Sequence, residues 1–246
     1  MTDTAMIFAA GLGTRLAPLT TDRPKALVKA GGKTMLERTV EKLVKSGISR
    51  IIINIHHFPH LMRNTIEALN FKGVEFIISD ERHELLDTGG GLLKAAAYLK
   101  GDKPFIVHNV DVISDIDLMR MYDDHFREGA LASLAVSRRH TSRYFNWYHG
   151  RLCGWKNIRT NEEINCYPVD GKPDSLAFSG IHVISPEIFD LITETGKFSI
   201  NQLYLRLAQS QKIIAWEHDP RCWADIGTTE KLDAAEKMLQ LHPEKF

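Results

Sequence analysis

The sequence has few of the features that mark secreted or membrane proteins. Its three cysteines, Cys153, Cys166 and Cys222, form no CxxC pair. The odd number argues against a disulfide framework and indicates free thiols in a reducing compartment. No apolar run approaches the roughly 20 residues that cross a bilayer, and the N-terminal stretch lacks the basic start of a signal peptide. We therefore expect a cytoplasmic protein with no membrane partner.

The chain also lacks an excess of charge of either sign. Its 31 basic and 31 acidic residues give a formal net charge of zero, so a broad cationic surface for nucleic acid is not expected. A local cluster of positive charge in a cleft remains compatible with this balance. No repeat, low-complexity tract or linker interrupts the 246 residues, which are enough for one large α/β domain.

Strand and helix patterns alternate along residues 1–136. Apolar runs predict strands at 6–10, 50–55, 74–79, 104–111 and 130–136, and amphipathic segments predict helices at 34–46, 59–69, 90–99 and 116–128. This alternation favours a doubly wound, mostly parallel, Rossmann-like sheet. Aromatic and turn residues at 138–176 predict a small antiparallel addition. We expect one domain over 1–246, with a nucleotide-binding half at 1–136 and a small-molecule half at 137–246.

The second half closes with a simpler pattern. A returning strand is predicted at 175–185, helices near 186–194 and 200–210, a strand at 213–216 and a last helix at 228–241.

A loop with two glycines follows the first predicted strand, in the stretch IFAAGLGTRLAPLTTDRPKALV at 7–28. Its spacing does not match a P-loop, and Leu16 occupies the third glycine position of the dinucleotide fingerprint. Prolines at 18 and 24 block a helix directly after the loop. The glycines let backbone N–H groups approach an anion, and Arg15 and Lys25 add two cations. The stretch therefore predicts a polyphosphate site that does not depend on a helix dipole.

Two aspartates, distant in the sequence, follow predicted strands. Asp111 ends the fourth strand, where ligands of open α/β sheets bind, and Asp225 ends a short strand in CWADIGT. A magnesium ion takes one or two protein carboxylates together with substrate phosphates. A lone aspartate at such a position more often caps a helix, which is the role we expect for Asp117.

The loop sequence resembles the signature of the sugar-1-phosphate nucleotidyltransferases, GxGxRxxPLT followed by PK. The resemblance extends to LLDTGGGLLKA, VHNVDV, FSGIHVISPEIF and WADIGTTEKL. It covers nearly the whole chain and is weakest at 138–174. Within the family, LDTGGG and FSGIHVISPEIF most resemble the N-acetylmuramate-1-phosphate uridylyltransferases of peptidoglycan recycling, with mannose-1-phosphate guanylyltransferases second.

The resemblance implies a reaction between two polyanions. A phosphate oxygen of a sugar 1-phosphate attacks the α-phosphorus of a nucleoside triphosphate, and pyrophosphate leaves. The family pattern assigns Asp111 and Asp225 to Mg²⁺, Arg15 to the leaving pyrophosphate and Lys25 to the space between the α-phosphate and the sugar phosphate. Because the nucleophile is already an anion, no general base is needed, and alignment with charge compensation is the main requirement.

The resemblance also implies two sets of binding residues. Those expected to contact the nucleotide are Ala10, Gly11, Leu12, Gly13, Thr14, Glu84, Gly89 and Gly90. Those expected to contact the sugar, in the half at 137–246 and at the end of the fourth strand, are Asn109, Gly180 and Asn201.

The sequence leaves the substrates and the assembly open. UTP with N-acetylmuramate 1-phosphate is the first interpretation, and GTP with mannose 1-phosphate, or another hexose 1-phosphate, is the alternative. A non-catalytic nucleotide-sensing homologue is a more distant one. Both a monomer and a homo-oligomer are compatible with the sequence.

Overall fold

The computed structural model describes residues 2–246, which form strands, α-helices and short 3₁₀ turns. The strands are β1 (Thr4–Phe8), β2 (Lys29–Ala30), β3 (Lys33–Thr34), β4 (Arg50–Ile55), β5 (Glu75–Asp80), β6 (Phe105–Asn109), β7 (Val112–Ser114), β8 (Ala132–Ser137), β9 (Arg143–Tyr148), β10 (Arg151–Asn157), β11 (Glu162–Asn165), β12 (Asp174–Ile184), β13 (Ile213–Glu217) and β14 (Trp223–Asp225). The α-helices are α1 (Met35–Lys45), α2 (Pro59–Glu67), α3 (Asp87–Lys94), α4 (Ala96–Leu99), α5 (Leu118–Glu128), α6 (Ile188–Leu191), α7 (Ile200–Leu207) and α8 (Thr229–Leu241). The 3₁₀ turns lie at Thr14–Leu16, Lys25–Leu27, Pro220–Cys222 and Pro243–Lys245.

One large sheet runs through the molecule in the order β11-β10-β13-β8-β12-β6-β1-β4-β5, and β9 pairs with both β10 and β12. Strands β6, β1, β4 and β5 are parallel to one another. At the other end, β9, β10 and β11 form the antiparallel addition. The predicted fold class, a mostly parallel Rossmann-like sheet with a small antiparallel part, is confirmed.

The position of β12 is the feature of the sheet that the sequence pattern does not show. This strand runs antiparallel between β6 and β8 and separates them. Most of its residues are buried, which suits a central strand covered on both faces. Its insertion brings the second half of the chain against the middle of the sheet.

Apolar cores lie on both faces of the sheet. On β1, Ile7 belongs to a core with Leu36 of α1, and Met6 belongs to a second core with Leu203 and Tyr204 of α7. Successive side chains of a strand point to opposite faces, so a continuous apolar run fills both cores. Each fully buried aliphatic side chain contributes roughly 1.5–3 kcal/mol.

The ends of the helix predicted at 34–46 and the predicted Asp117 cap are confirmed, and local hydrogen bonds and a glycine explain them. Thr34 accepts a hydrogen bond from the Glu37 amide at 3.1 Å, while the Glu37 carboxylate accepts one from the Thr34 amide at 2.7 Å. Gly47, at φ +87°, follows the last turn of α1, and Asp117 caps α5. These local signals fix where the helices begin and end.

Two predicted helices have different bounds in the structure. The segment predicted at 90–99 begins earlier, at Asp87, and is divided into α3 and α4, so Gly89, Gly90 and Gly91 lie inside α3. The segment predicted at 186–194 shortens to Ile188–Leu191. Position 89 requires glycine, because a β-carbon there would lie 2.3 Å from the Phe198 ring.

None of the helices within residues 2–246 is both long and apolar enough to cross a membrane.

Three histidines are buried in the fold, His108 on β6, His125 on α5 and His182 on β12. Burial lowers the pKa of His125 to about 4 and the pKa values of His108 and His182 to about 3. The unfolded chain binds these protons near pH 6.5. Because the unfolded state then holds more protons than the folded state, stability falls as the pH drops below 6.5 towards 3–4.

We predict that the free energy of unfolding decreases between pH 6.5 and pH 4.5, by up to about 1.4 kcal/mol per pH unit for each buried histidine. His125→Gln removes one of these protonation sites, so its unfolding free energy should depend less steeply on pH. Urea denaturation at several pH values measures both slopes. Exposed His83→Gln is the control and should keep the parent slope. An unchanged slope in His125→Gln would contradict the interpretation.

Candidate active site

A cavity of about 330 Å³ opens at the carboxyl ends of the parallel strands β1, β4 and β6. Its lining is Phe8, Ala9, Ala10, Gly11, Lys25, Asn54, Leu85, Asp87, Thr88, Asn109, Val110, Asp111 and Lys197. Ligands of open α/β sheets bind at this edge. Five of the predicted site residues line it: Ala10, Gly11, Lys25, Asn109 and Asp111.

The glycine loop folds back over Lys25. Gly13 has φ +66°, and a β-carbon there would lie 3.0 Å from the Lys25 β-carbon. The Thr20 hydroxyl donates to the Gly13 carbonyl at 3.0 Å, and the buried Leu16 anchors the loop. The loop backbone and the Lys25 cation therefore lie side by side. Of the other predicted loop contacts, Leu12 and Thr14 are exposed outside the cavity lining.

Lys25 and Asp111 form an ion pair at the cavity. The Lys25 Nζ donates to Asp111 Oδ2, and both side chains are largely shielded from solvent. Lys25 comes from the 3₁₀ turn Lys25–Leu27, and Asp111 lies between β6 and β7. The sequence predicts separate roles for these residues, and the structure places them in direct contact.

Asp225 reaches the same edge of the sheet through β14. This strand pairs antiparallel with β7, with Asp225 opposite Val112, and the Ile226 amide donates to the Asp111 carbonyl at 3.0 Å. The Asp225 carboxylate accepts from Lys231 Nζ at 2.6 Å and from the Gly227 amide at 2.9 Å. The structure thus brings together the strand segments that carry the two predicted metal ligands.

Arg15 lies on the Asp225 side of the loop. A β-carbon placed on Gly227 would be 3.6 Å from Arg15 Nη2 and 2.7 Å from Asp225 Oδ1. The Arg15 side chain is exposed. Arg15 and Lys25 therefore approach different aspartates of the pair, Arg15 near Asp225 and Lys25 on Asp111.

Asn109 and Gly180 are neighbours across β6 and β12. Gly180 has φ +76°, and a β-carbon there would lie 2.9 Å from Asn109 Nδ2 and 2.9 Å from a methyl group of Val112. Only glycine fits this conformation and this space. Two of the three predicted sugar-binding residues therefore belong to one local arrangement, with Asn109 at the cavity wall.

The remaining predicted contacts lie outside the cavity lining. The amides of Gly89 and Gly90 donate to the Phe198 carbonyl at 2.9 and 3.3 Å, so both are already used within the protein. Glu84 is exposed on the loop before α3. Asn201 is the second residue of α7, where its amide donates to the capping Ser199 hydroxyl at 3.3 Å. The ligand-binding roles of these four residues stay predictions.

Sequence reasoning missed the buried pair of Asn54 and Glu81. The Asn54 side chain accepts from the Ala9 amide at 2.7 Å and donates to Glu81 Oε1 at 2.7 Å. Glu81 Oε2 accepts from the Leu86 amide at 3.2 Å. Burial raises the pKa of Glu81 above its ordinary value. A polar residue at the fifth position of the apolar strand RIIINI was the signal that could have identified Asn54.

Three further lining residues were also missed, Asp87, Thr88 and Lys197. The Thr88 hydroxyl accepts from the Ile200 amide at 3.0 Å, which ties α3 to α7. Lys197 adds a cation from the segment before α7. No local pattern marks this lysine, because only tertiary packing brings its segment to the cavity.

We predict that Asn54→Ala destabilises the fold by about 2 kcal/mol or more, because it leaves a buried amide and a buried carboxylate oxygen without partners. Urea denaturation at pH 7 measures this loss. Asn64→Ala, at an exposed position of α2, is the matched control and should change stability by less than about 0.5 kcal/mol. Equal effects of the two substitutions would contradict the importance of the Asn54 network.

The chain is similar to known proteins over nearly its full length. Residues 4–240 match the family described as "Nucleotidyl transferase". An N-acetylmuramate alpha-1-phosphate uridylyltransferase of Caulobacter vibrioides is 32% identical over 96% of this chain and 96% of the relative. A mannose-1-phosphate guanyltransferase of Yarrowia lipolytica is 30% identical over 90% of this chain but only 60% of the relative. Among solved structures, a UDP-glucose pyrophosphorylase of Acinetobacter baumannii superposes with a TM-score of 0.78 at 20% identity, covering 99% of this chain and 94% of that one.

Proposed function

The chain belongs to the nucleotidyl transferase family and is an enzyme of the sugar-1-phosphate nucleotidyltransferase class, and we propose that it makes UDP-N-acetylmuramate from UTP and N-acetylmuramate α-1-phosphate. The observation that carries this choice is the match to the Caulobacter vibrioides uridylyltransferase, which extends over 96% of both chains. The mannose-1-phosphate relative extends well beyond the matched region. We also propose that the enzyme acts in the cytoplasm, in peptidoglycan recycling.

The proposed arrangement divides the two substrates between the halves of one domain. The triphosphate would lie along Ala10 and Gly11 in the cavity of the half at 1–136. The sugar would lie beside Asn109 and Gly180, where the half at 137–246 meets the sheet. Lys25 would contact the phosphates that join, and Arg15 would stabilise the leaving pyrophosphate. Alignment and charge compensation of this kind supply most of the catalysis in phosphoryl-type transfers.

The acidic pair suits a magnesium ion. Asp111 and Asp225 are half-buried on paired segments, and each already binds a lysine ammonium group, so this edge of the sheet attracts cations. Within residues 2–246 no cluster of three or more acidic, histidine or cysteine ligands is present. Two carboxylates with substrate phosphates are the ligand set that Mg²⁺ usually takes. We propose that Asp111 and Asp225 hold Mg²⁺, which would offset the phosphate charge.

A pyrophosphate-release screen tests the substrates. It crosses four nucleoside triphosphates with the 1-phosphates of N-acetylmuramate, N-acetylglucosamine, mannose and glucose. We expect the highest kcat/KM for UTP with N-acetylmuramate 1-phosphate. A strong signal for GTP with mannose 1-phosphate and none for the first pair would replace the proposal by its alternative, which the 30% identity to the Yarrowia lipolytica relative supports. Absence of release from every combination would favour a non-catalytic nucleotide sensor.

We predict that Arg15→Ala, Lys25→Ala and Asp111→Ala each lower kcat by about 100- to 1,000-fold. Arg15 and Lys25 would supply positive charge to the transition state, and Asp111 would hold the Mg²⁺ that does the same. Thermal unfolding checks that the variants remain folded. Arg23→Ala is the matched control, since Arg23 is an exposed arginine of the same loop paired with Asp22, and it should keep normal turnover. Near-normal turnover of Asp111→Ala in Mg²⁺ would overturn the metal assignment.

A further inference from the structure

Arg139 is a largely buried cation that has no role in the proposed chemistry. It follows β8, and its guanidinium donates to the Ser137 hydroxyl at 3.0 Å, the Ala177 carbonyl at 2.9 Å, the Ser179 hydroxyl at 3.2 Å and the Phe178 carbonyl at 2.6 Å. The acceptors in these four bonds are all uncharged. Burial lowers the pKa of Arg139 to about 10. Burying a charged group among uncharged acceptors costs free energy, so we expect the position of Arg139 to serve a specific role.

The neighbouring Arg138 provides the contrast. It is exposed and pairs with Glu217 at 2.9 Å and with Asp174 at 3.3 Å. Exposed pairs of this kind contribute little to stability or position. Adjacent arginines therefore occupy opposite environments, Arg138 in solvent and Arg139 against the backbone of β12.

The acceptors of Arg139 on β12 lie where that strand bulges. Between Phe178 and His182, β12 advances four residues while β8 advances only from Val136 to Leu134. A bulge interrupts the ladder and leaves carbonyl groups without strand partners. The planar guanidinium binds the Phe178 carbonyl and the Ser179 hydroxyl directly before Gly180. It therefore holds the backbone conformation that places Gly180 next to Asn109.

The other contact of Arg139 leads to Asp225. The guanidinium carbon lies 3.8 Å from the centre of the Trp223 ring, and Trp223 is two residues before Asp225 on β14. The Trp223 indole N–H in turn donates to the Ser179 carbonyl at 2.9 Å. A stacked arginine on tryptophan is among the stronger cation–π contacts. Arg139 and Trp223 thus join the bulge of β12 to the strand that carries Asp225.

We propose that Arg139 is a positioning residue for the sugar 1-phosphate, acting through Ser179–Gly180 on one side and Trp223–Asp225 on the other. This inference rests on the proposed function, since it concerns the acceptor side of the same site. The nucleotide side is held independently by Asn54, Glu81 and the glycine loop. Loss of Arg139 should therefore impair the acceptor far more than the nucleotide.

The test compares Arg139→Met, Arg139→Lys and the control Arg138→Met in the 246-residue chain. The probes are UTP and N-acetylmuramate 1-phosphate, or GTP and mannose 1-phosphate where the screen selects that pair. For Arg139→Met we expect the KM of the sugar phosphate to rise about tenfold or more, as small misplacements at a reacting centre have large effects. The KM of the triphosphate should change less than about twofold. Calorimetry should likewise give the variant the same affinity for the triphosphate as the parent protein.

Arg139→Lys keeps the charge but loses the planar fork, so it should also raise the KM of the sugar phosphate, and it serves as the second variant if Arg139→Met does not fold. Arg138→Met should match the parent protein. Equal increases in both KM values, or a change only in thermal stability, would overturn the positioning role and leave the proposed function intact. Absence of turnover by the unmodified protein with every sugar phosphate would overturn the proposed function and this inference with it.

Discussion

The side-chain amide of Asn54 holds together the segments that enclose the cavity. It accepts a hydrogen bond from the Ala9 amide just after β1 and donates one to the Glu81 carboxylate after β5. Glu81 in turn accepts a hydrogen bond from the Leu86 amide before α3. These groups are buried, where each hydrogen bond is strengthened by the low polarity and each missing one is costly. The same network explains one glycine of α3, because a β-carbon at Gly91 would lie 2.8 Å from Glu81 Oε1 and 3.0 Å from Asn54 Nδ2.

Around this hydrogen-bonded network the site places opposite charges in pairs. Lys25 binds Asp111 and Lys231 binds Asp225, both at the edge where the strands of a parallel sheet end. A site that holds two polyanions has to supply cations without repelling its own acids. Pairing each carboxylate with a lysine meets that condition before any substrate arrives. Lys197 adds a further cation at the cavity wall.

The sequence predicts the local parts of this arrangement well. The alternating apolar runs identify the parallel strands, and the Asp117 cap identifies where α5 begins. The prolines at 18 and 24 correctly predict a loop without an α-helix directly after it. The predictions from sequence are wrong where tertiary packing overrides local helix preference. The helix predicted at 90–99 begins at Asp87 instead, so the glycine run lies inside α3, where Phe198 and Glu81 leave no room for β-carbons.

By itself, therefore, the sequence determined the fold class and the loop that presents Arg15 and Lys25, because side-chain period, proline and glycine act on their own neighbourhood. Its resemblance to a known family implied the reaction class. Only the tertiary structure decided that β12 enters the centre of the sheet, that Lys25 binds Asp111 and that Arg139 stacks on Trp223. Such contacts join residues far apart in the chain. They depend on strand order and on the space left between packed elements, and neither quantity is encoded in a local pattern.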